Sequence, residues 1–123
     1  MTGPEMTNYT DEYIRYCLQL TNENNPPVHP HENVARHNQA MRQLGALYHR
    51  VEKEKDRRFL PGLLRHEDLR VRKIAAAHCL GLNVYKFRAL RALRKIIRGG
   101  GIEGFSAEMT IKMWKKQGHH LTF

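Results

Sequence analysis

The sequence has little cysteine and no long apolar run. Both features limit the classes of protein to which the chain can belong. Only two cysteines occur among 123 residues, and the spacing of Cys17 and Cys79 matches neither a metal-binding nor a redox motif. Both lie in apolar helical patterns, so we expect two buried thiols in a reducing compartment. No stretch approaches the roughly 20 consecutive apolar residues that a membrane span requires. Since residues 1–9 also lack the pattern of an export signal, we expect a cytoplasmic protein outside the membrane.

Acidic residues are missing from one long segment of the chain. No Asp or Glu occurs in residues 69–102, and residues 57–98 contain 12 basic residues against two acidic ones, Glu67 and Asp68. Residues 57–98 therefore have a net charge of +10, while the whole chain has +9. A basic region of this kind can attract either phosphate backbones or an acidic protein surface.

The length and periodicity of the chain indicate one helical domain over residues 1–123. A chain of 123 residues with 41% apolar residues can bury roughly two-thirds of its unfolded surface. Its apolar residues recur at three- and four-residue steps, and no segment shows the alternation of a strand. We therefore predict an all-α fold of about six helices.

Start and stop signals place the first two helices. The first is expected to follow Thr10 as its N-cap and to end near Leu20, before a proline-rich break within residues 24–30. The second is predicted over about Glu32–Lys55. The residues expected along its apolar face are Val34, Met41, Leu44, Tyr48 and Val51.

Four more helices are predicted in the basic and C-terminal parts. The third and fourth lie within Phe59–Leu82, and the fourth is apolar almost all round, so we expect it at the centre of the fold. The fifth is predicted over Val84–Arg98 and ends at Gly99–Gly101. The sixth is expected to start at an N-cap, Ser106, and to continue through Lys116. The residues predicted in the centre of the core are Val71, Ala75 and Leu80.

The third and fourth helices carry a recognisable motif. A Leu-rich helix with an early proline, Pro61, precedes the pattern Asp-x-x-Val-Arg-x-x-Ala-Ala. Its residues are Asp68, Val71, Arg72, Ala75 and Ala76. This pattern resembles one HEAT-type repeat. The half of the chain from Phe59 to Gly118 also resembles a family of short bacterial proteins of unknown function with HEAT-like helices, on the segments Leu63–Leu80 and Gly104–Lys116.

The resemblance implies antiparallel helix pairs stacked as an α-α superhelix. Each pair would then bury its second face against a neighbouring pair. In such stacks an acid and an arginine commonly tie neighbouring repeats, so we interpret Asp68 and Arg72, four residues apart, as a structural pair. The family has no assigned activity, and the resemblance therefore implies no functional residue.

The histidines and the absence of a nucleophile argue against an enzyme. Of eight histidines, His29, His31 and His37 are nearest to one another in the first half, but their spacing matches no closed zinc pattern. Only Glu32 adds an oxygen ligand there, so a solvated loop is favoured and we predict no metal and no cofactor. His78 lies in the most apolar helix without a partner nucleophile and acid, which favours a core histidine over a catalytic base.

The remaining candidate site is a basic stripe on the fifth helix, opposite its apolar face. It consists of Arg88, Arg91, Lys95 and Arg98. Long cationic side chains commonly cover a solvated helix face, which is the simplest interpretation. However, no acidic residue is available to pair with the stripe at helical spacing. Only Tyr85 and Phe87 could stack on bases, so single-stranded nucleic acid is disfavoured. We therefore expect a binding module that engages an acidic protein partner, with nucleic-acid binding through phosphate contacts as the alternative.

Overall fold

The computed structural model describes residues 9–21 and 30–118, with the side chains from residue 34 onward in the second range. These residues form six helices and no strand, which confirms the predicted all-α class. In chain order the helices are α1 (Tyr9–Cys17), α2 (Pro30–Glu52), α3 (Leu60–Leu64), α4 (Leu69–Leu82), α5 (Lys86–Gly99) and α6 (Gly101–Lys116). The predicted break lies outside the described residues except for its last position, Pro30, at which α2 begins.

The core runs through the helices with α4 at its centre. The adjacent pairs α1–α2, α3–α4, α4–α5 and α5–α6 pack against each other, and α4 also contacts α1 and α6. Every residue of Ile74–Leu80 is buried, and so is Val71. A helix that is buried on all sides needs neighbours on all sides, and the small side chains of Ala75–Ala77 let those neighbours approach closely. The predicted burial of Val71, Ala75 and Leu80 is confirmed.

Arg70, which was not singled out in the sequence, connects the start of α4 to the residues that follow α1. The carboxylate of Asp68 caps α4 by accepting a hydrogen bond from the backbone N–H of Arg70 at 2.9 Å. The same carboxylate also pairs with the Arg70 guanidinium at 2.8 Å, rather than with Arg72 as predicted. This guanidinium in turn donates to the backbone carbonyls of Leu18 and Leu20, at 3.1 and 2.9 Å. An N-cap side chain faces the first turn of its helix, so Arg70 and not Arg72 is within its reach.

The apolar face of α2 is shorter than the sequence indicated. Its buried side chains begin at Ala40 and continue through Leu44 and Val51, whereas Val34 and Met41 are exposed. The length of the neighbouring helix accounts for Val34. At nine residues, α1 spans roughly 14 Å, while the 23 residues of α2 span roughly 35 Å, so α1 cannot cover the whole of α2. Met41 lies between the buried Ala40 and Leu44, so its exposure means that its side chain lies off the buried face. Even so, no helix in the described ranges is both long and apolar enough to cross a membrane.

The connection between α5 and α6 is tighter than predicted. α5 ends at Gly99 and α6 begins at Gly101, so a single residue, Gly100, joins them. Gly100 and Gly101 have φ angles of 72° and 70°, which residues other than glycine rarely adopt. The predicted N-cap, Ser106, lies inside α6, where its carbonyl accepts a hydrogen bond from the Thr110 hydroxyl at 3.0 Å. The glycines therefore make a sharp turn, and α6 begins before the predicted N-cap.

Candidate binding cleft

A cleft of about 430 Å³ opens between α3, α4 and α5, and we call it the basic cleft. Five of its lining residues are cationic: Arg65, Arg72, Arg88, Arg91 and Lys95. The others are Pro61, Leu64 and Ala92, which give it an apolar edge. All eight lining residues are described, and none of them is acidic. Three helices thus direct positive charge toward one concave surface.

Three of the four residues of the predicted stripe line this cleft. Arg88, Arg91 and Lys95 share one face of α5 because they are three and seven residues apart. Ala92 lies on the same side and is half-buried, so a short side chain separates the long ones. Arg98 is exposed but does not line the cleft, since it lies close to the end of α5.

The sequence did not predict the contributions of Arg65 and Arg72. Arg65 is the C-cap residue of α3, a position that brings it to the mouth of the cleft between this helix and α5. Arg72 was assigned to Asp68, whose carboxylate is instead used by Arg70. The sequence does contain a signal against the Asp68–Arg72 pair. Asp68 precedes a helix as an N-cap residue does, and a capping carboxylate bonds to groups in the first turn of its own helix.

The positive charge of the cleft has no counter-charge within the described part of the chain. None of its five cations forms an ion pair there, not even with Glu67, which lies two residues after Arg65 in the chain. Asp68 pairs with Arg70, and Glu103 of α6 pairs with Lys73 at 2.5 Å. The Nε atom of Arg72 is buried without a hydrogen-bond acceptor among those residues. A buried donor without an acceptor costs free energy.

A second, larger cleft lies beside the basic cleft and is partly neutralised. It has a volume of about 640 Å³ and is lined by Lys55, Asp56, Arg57, Arg58, Val84 and Tyr85. Arg58 bonds to the carboxylate of Asp56 at 2.9 Å and lowers its pKa to about 2. Tyr85 has a φ of 49°, uncommon for a residue with a side chain, and its ring centroid lies 5.9 Å from the Arg88 guanidinium. This contact connects the two clefts, and the second cleft has one acid for its three cations whereas the basic cleft has none for its five.

The buried histidine belongs to the core, as predicted. The Tyr13 hydroxyl lies within hydrogen-bond distance of His78 Nδ1, at 2.7 Å, and the ring of Tyr48 packs edge-on against the imidazole at a centroid distance of 5.0 Å. Burial lowers the pKa of His78 to about 3, so the imidazole is neutral at physiological pH. Burial also raises the pKa of Cys79 to about 12, which keeps this thiol protonated and unreactive.

The histidines that could hold a metal are only partly described. His29 and the side chain of His31 lie outside the described residues. His37 accepts a hydrogen bond from the backbone N–H of Thr21 at 3.0 Å. Across the described ranges, no group of three or more His, Cys, Asp or Glu residues could hold a metal ion.

Comparison with known proteins gives no match to a protein family, a curated protein or a solved structure. The resemblance to HEAT-type repeats therefore stays a prediction. The case for a function must come from the cleft itself.

Proposed function

We propose that the protein is a small cytoplasmic binding module whose basic cleft receives an acidic segment of a protein partner. The observation that carries this proposal is the convergence of five unpaired cations from α3, α4 and α5 on one cleft. The module acts by occupancy, without catalysis. Its HEAT-like helix pairs would serve as the scaffold that holds the cations at fixed positions.

The shape of the cleft favours an inserted side chain over a nucleic-acid backbone. Its lining includes Pro61 and Ala92, which are half-buried and can pack against the carbon atoms of a peptide. Phosphates of a duplex would instead need cations spread over an open surface. Nucleic-acid binding remains the alternative because the same cations could contact phosphates, and it requires a steep dependence on salt.

Two labelled probes of equal net charge test the proposal: a peptide rich in Asp and Glu with apolar residues, and a DNA duplex. We expect the peptide to bind with a weak salt dependence, because apolar contacts contribute to its affinity. Duplex binding through all five cations would give a log-log salt slope of about −4.5. Tighter binding of the duplex with such a slope would reject the protein partner in favour of nucleic acid.

Charge reversal locates the binding surface. In the double variant Arg91→Glu, Lys95→Glu we expect peptide binding to be lost, because both side chains line the cleft. The helical circular dichroism spectrum should not change, since both residues are exposed. The matched controls are Arg94→Glu and Arg98→Glu, which remove exposed cations of α5 outside the cleft. Equal loss of binding in the controls would mean that general charge, and not the cleft, is responsible.

A further inference from the structure

We propose that the group received by the basic cleft is a phosphorylated side chain of the partner. This inference rests on the proposed function and specifies its ligand. The first argument is charge. One carboxylate would neutralise one of five cations, whereas a phosphate monoester carries a charge of about −1.5 to −2 at pH 7 and three acceptor oxygens. The surplus of cations in the cleft therefore matches phosphate better than carboxylate.

The second argument is the type of cation. Four of the five are arginines, namely Arg65, Arg72, Arg88 and Arg91. A guanidinium is planar and presents its N–H groups as a fork that fits two oxygens of a phosphate at once. Because these arginines come from three helices, their forks approach the cleft from different directions. A tetrahedral group with three oxygens can accept from several such forks, while a planar carboxylate has only two oxygens.

The third argument is the buried donor. Arg72 is half-buried and belongs to α4, the most buried helix of the fold, so its guanidinium is held against a rigid support. Its Nε atom has no acceptor in the part of the chain that the structure describes. Because Arg72 also lines the cleft, its guanidinium is available to an acceptor that enters there. A phosphate oxygen supplies a charged acceptor, which forms shorter and stronger hydrogen bonds than a neutral one.

The size of the cleft agrees with one inserted side chain. At about 430 Å³ it lies in the lower part of the range for sites that bind small molecules, roughly 300–1,000 Å³. This volume holds a phosphorylated serine or threonine with adjacent peptide atoms. Pro61, Leu64 and Ala92 then provide apolar contacts for that peptide, which free phosphate could not use.

The test uses three peptides that differ at one place in an otherwise identical acidic sequence: Ser-Ala, phosphoserine-Ala and Glu-Glu. The Glu-Glu peptide matches the net charge of the phosphopeptide. We expect the phosphopeptide to bind about tenfold or more tightly than Glu-Glu, because phosphate adds charge-assisted hydrogen bonds beyond net charge. The preference should shrink between pH 7.5 and pH 5.5, since the second phosphate proton binds at about pH 6.

Two variants separate fork recognition from charge. Arg72→Lys and Arg91→Lys keep the positive charge but remove the planar fork, so we expect both to lose the preference for phosphoserine while Glu-Glu binding is retained. Arg91 is exposed, so its substitution provides a result even if Arg72→Lys unfolds the protein. The matched control is Arg94→Lys outside the cleft, which should retain the full preference.

The outcomes distinguish this inference from the function on which it rests. Equal binding of phosphoserine and Glu-Glu peptides would overturn the phosphate inference and leave the acidic partner in place. Binding of neither peptide would overturn both. Inorganic phosphate that displaces the phosphopeptide at equal concentration would show a site for a free anion and would reject a protein-borne ligand. Stronger displacement by a DNA duplex would reject it in favour of nucleic acid.

Discussion

At the scale of single residues, His78 contacts two other helices through a polar group inside the core. Its imidazole is 2% exposed and meets Tyr13 of α1 and Tyr48 of α2. Burial holds its pKa at about 3 in the folded protein, against about 6.5 in an unfolded chain. The folded state therefore binds this proton less readily than the unfolded state.

This difference predicts a pH dependence of stability. The contribution of His78 is fully present above pH 6.5 and is lost as the pH falls toward 3, at about 1.4 kcal/mol for each pH unit. We expect urea midpoints to fall over this window more steeply in the natural protein than in His78→Gln, whose amide does not titrate. The control cancels the effect of the carboxylates, Asp68 included. Parallel pH profiles of the two proteins would contradict the assignment.

A second residue-scale prediction concerns Arg70 and Arg72. Arg70→Ala should lower the free energy of unfolding by about 1.5–3 kcal/mol, because it removes hydrogen bonds from a charged group to Asp68 and to two carbonyls after α1. Arg72→Ala should change it by less than about 1 kcal/mol, since the Arg72 Nε atom has no acceptor among the described residues. Denaturant unfolding of both variants measures the contrast. The reverse order would restore the Asp68–Arg72 pair that the sequence suggested.

At the scale of the elements, Gly104 allows the close packing of α5 and α6. A Cβ atom at this position would lie 3.1 Å from the Ile97 carbonyl oxygen and 3.3 Å from that of Ile96, both in the backbone of α5. A backbone cannot swing away as a side chain can, so the helices would have to separate. The sequence gives no sign of this contact, because Gly104 directly precedes Phe105 in what looked like a loop.

Two glycine substitutions test this packing. We expect Gly104→Ala to destabilise the protein by about 1–3 kcal/mol, because of overpacking against α5. Gly45→Ala should stabilise it by about 0.5–1 kcal/mol, since Gly45 lies within α2 with open space around its Cα and alanine favours the helix. Thermal unfolding of the pair checks both signs. A neutral Gly104→Ala would mean that α5 and α6 are less closely packed.

Helix positions were predictable where a periodic apolar pattern meets a clear cap. The fourth helix lies within Phe59–Leu82 as predicted, and its N-cap, Asp68, was not predicted although a capping side chain acts locally and is legible in the sequence. The starts of α1 and α6 were wrong. Thr10 lies inside α1, which begins at Tyr9, and Ser106 lies inside α6. In α6 the helix starts directly after Gly100, whose φ of 72° makes the turn from α5.

At the scale of the whole molecule, the sequence predicted the basic face but not its concavity. Arg88, Arg91 and Lys95 were found because the periodicity of one helix is visible in the chain. Arg65 and Arg72 belong to other helices, and only the packing of α3, α4 and α5 brings them to the same cleft. The predicted stripe includes Arg98, which does not line the cleft, and lacks Arg65 and Arg72, which do.

The single-residue link at Gly100 also bears on the order in which the chain assembles during synthesis. α5 and α6 can pair as soon as both are made, because closing a one-residue connection costs little entropy. The contact of Arg70 with Leu18 spans 52 residues and must wait for α4. Until then Tyr13 of α1 lacks its contact with His78 of α4. The nascent chain is thus most exposed to aggregation before its central helix emerges.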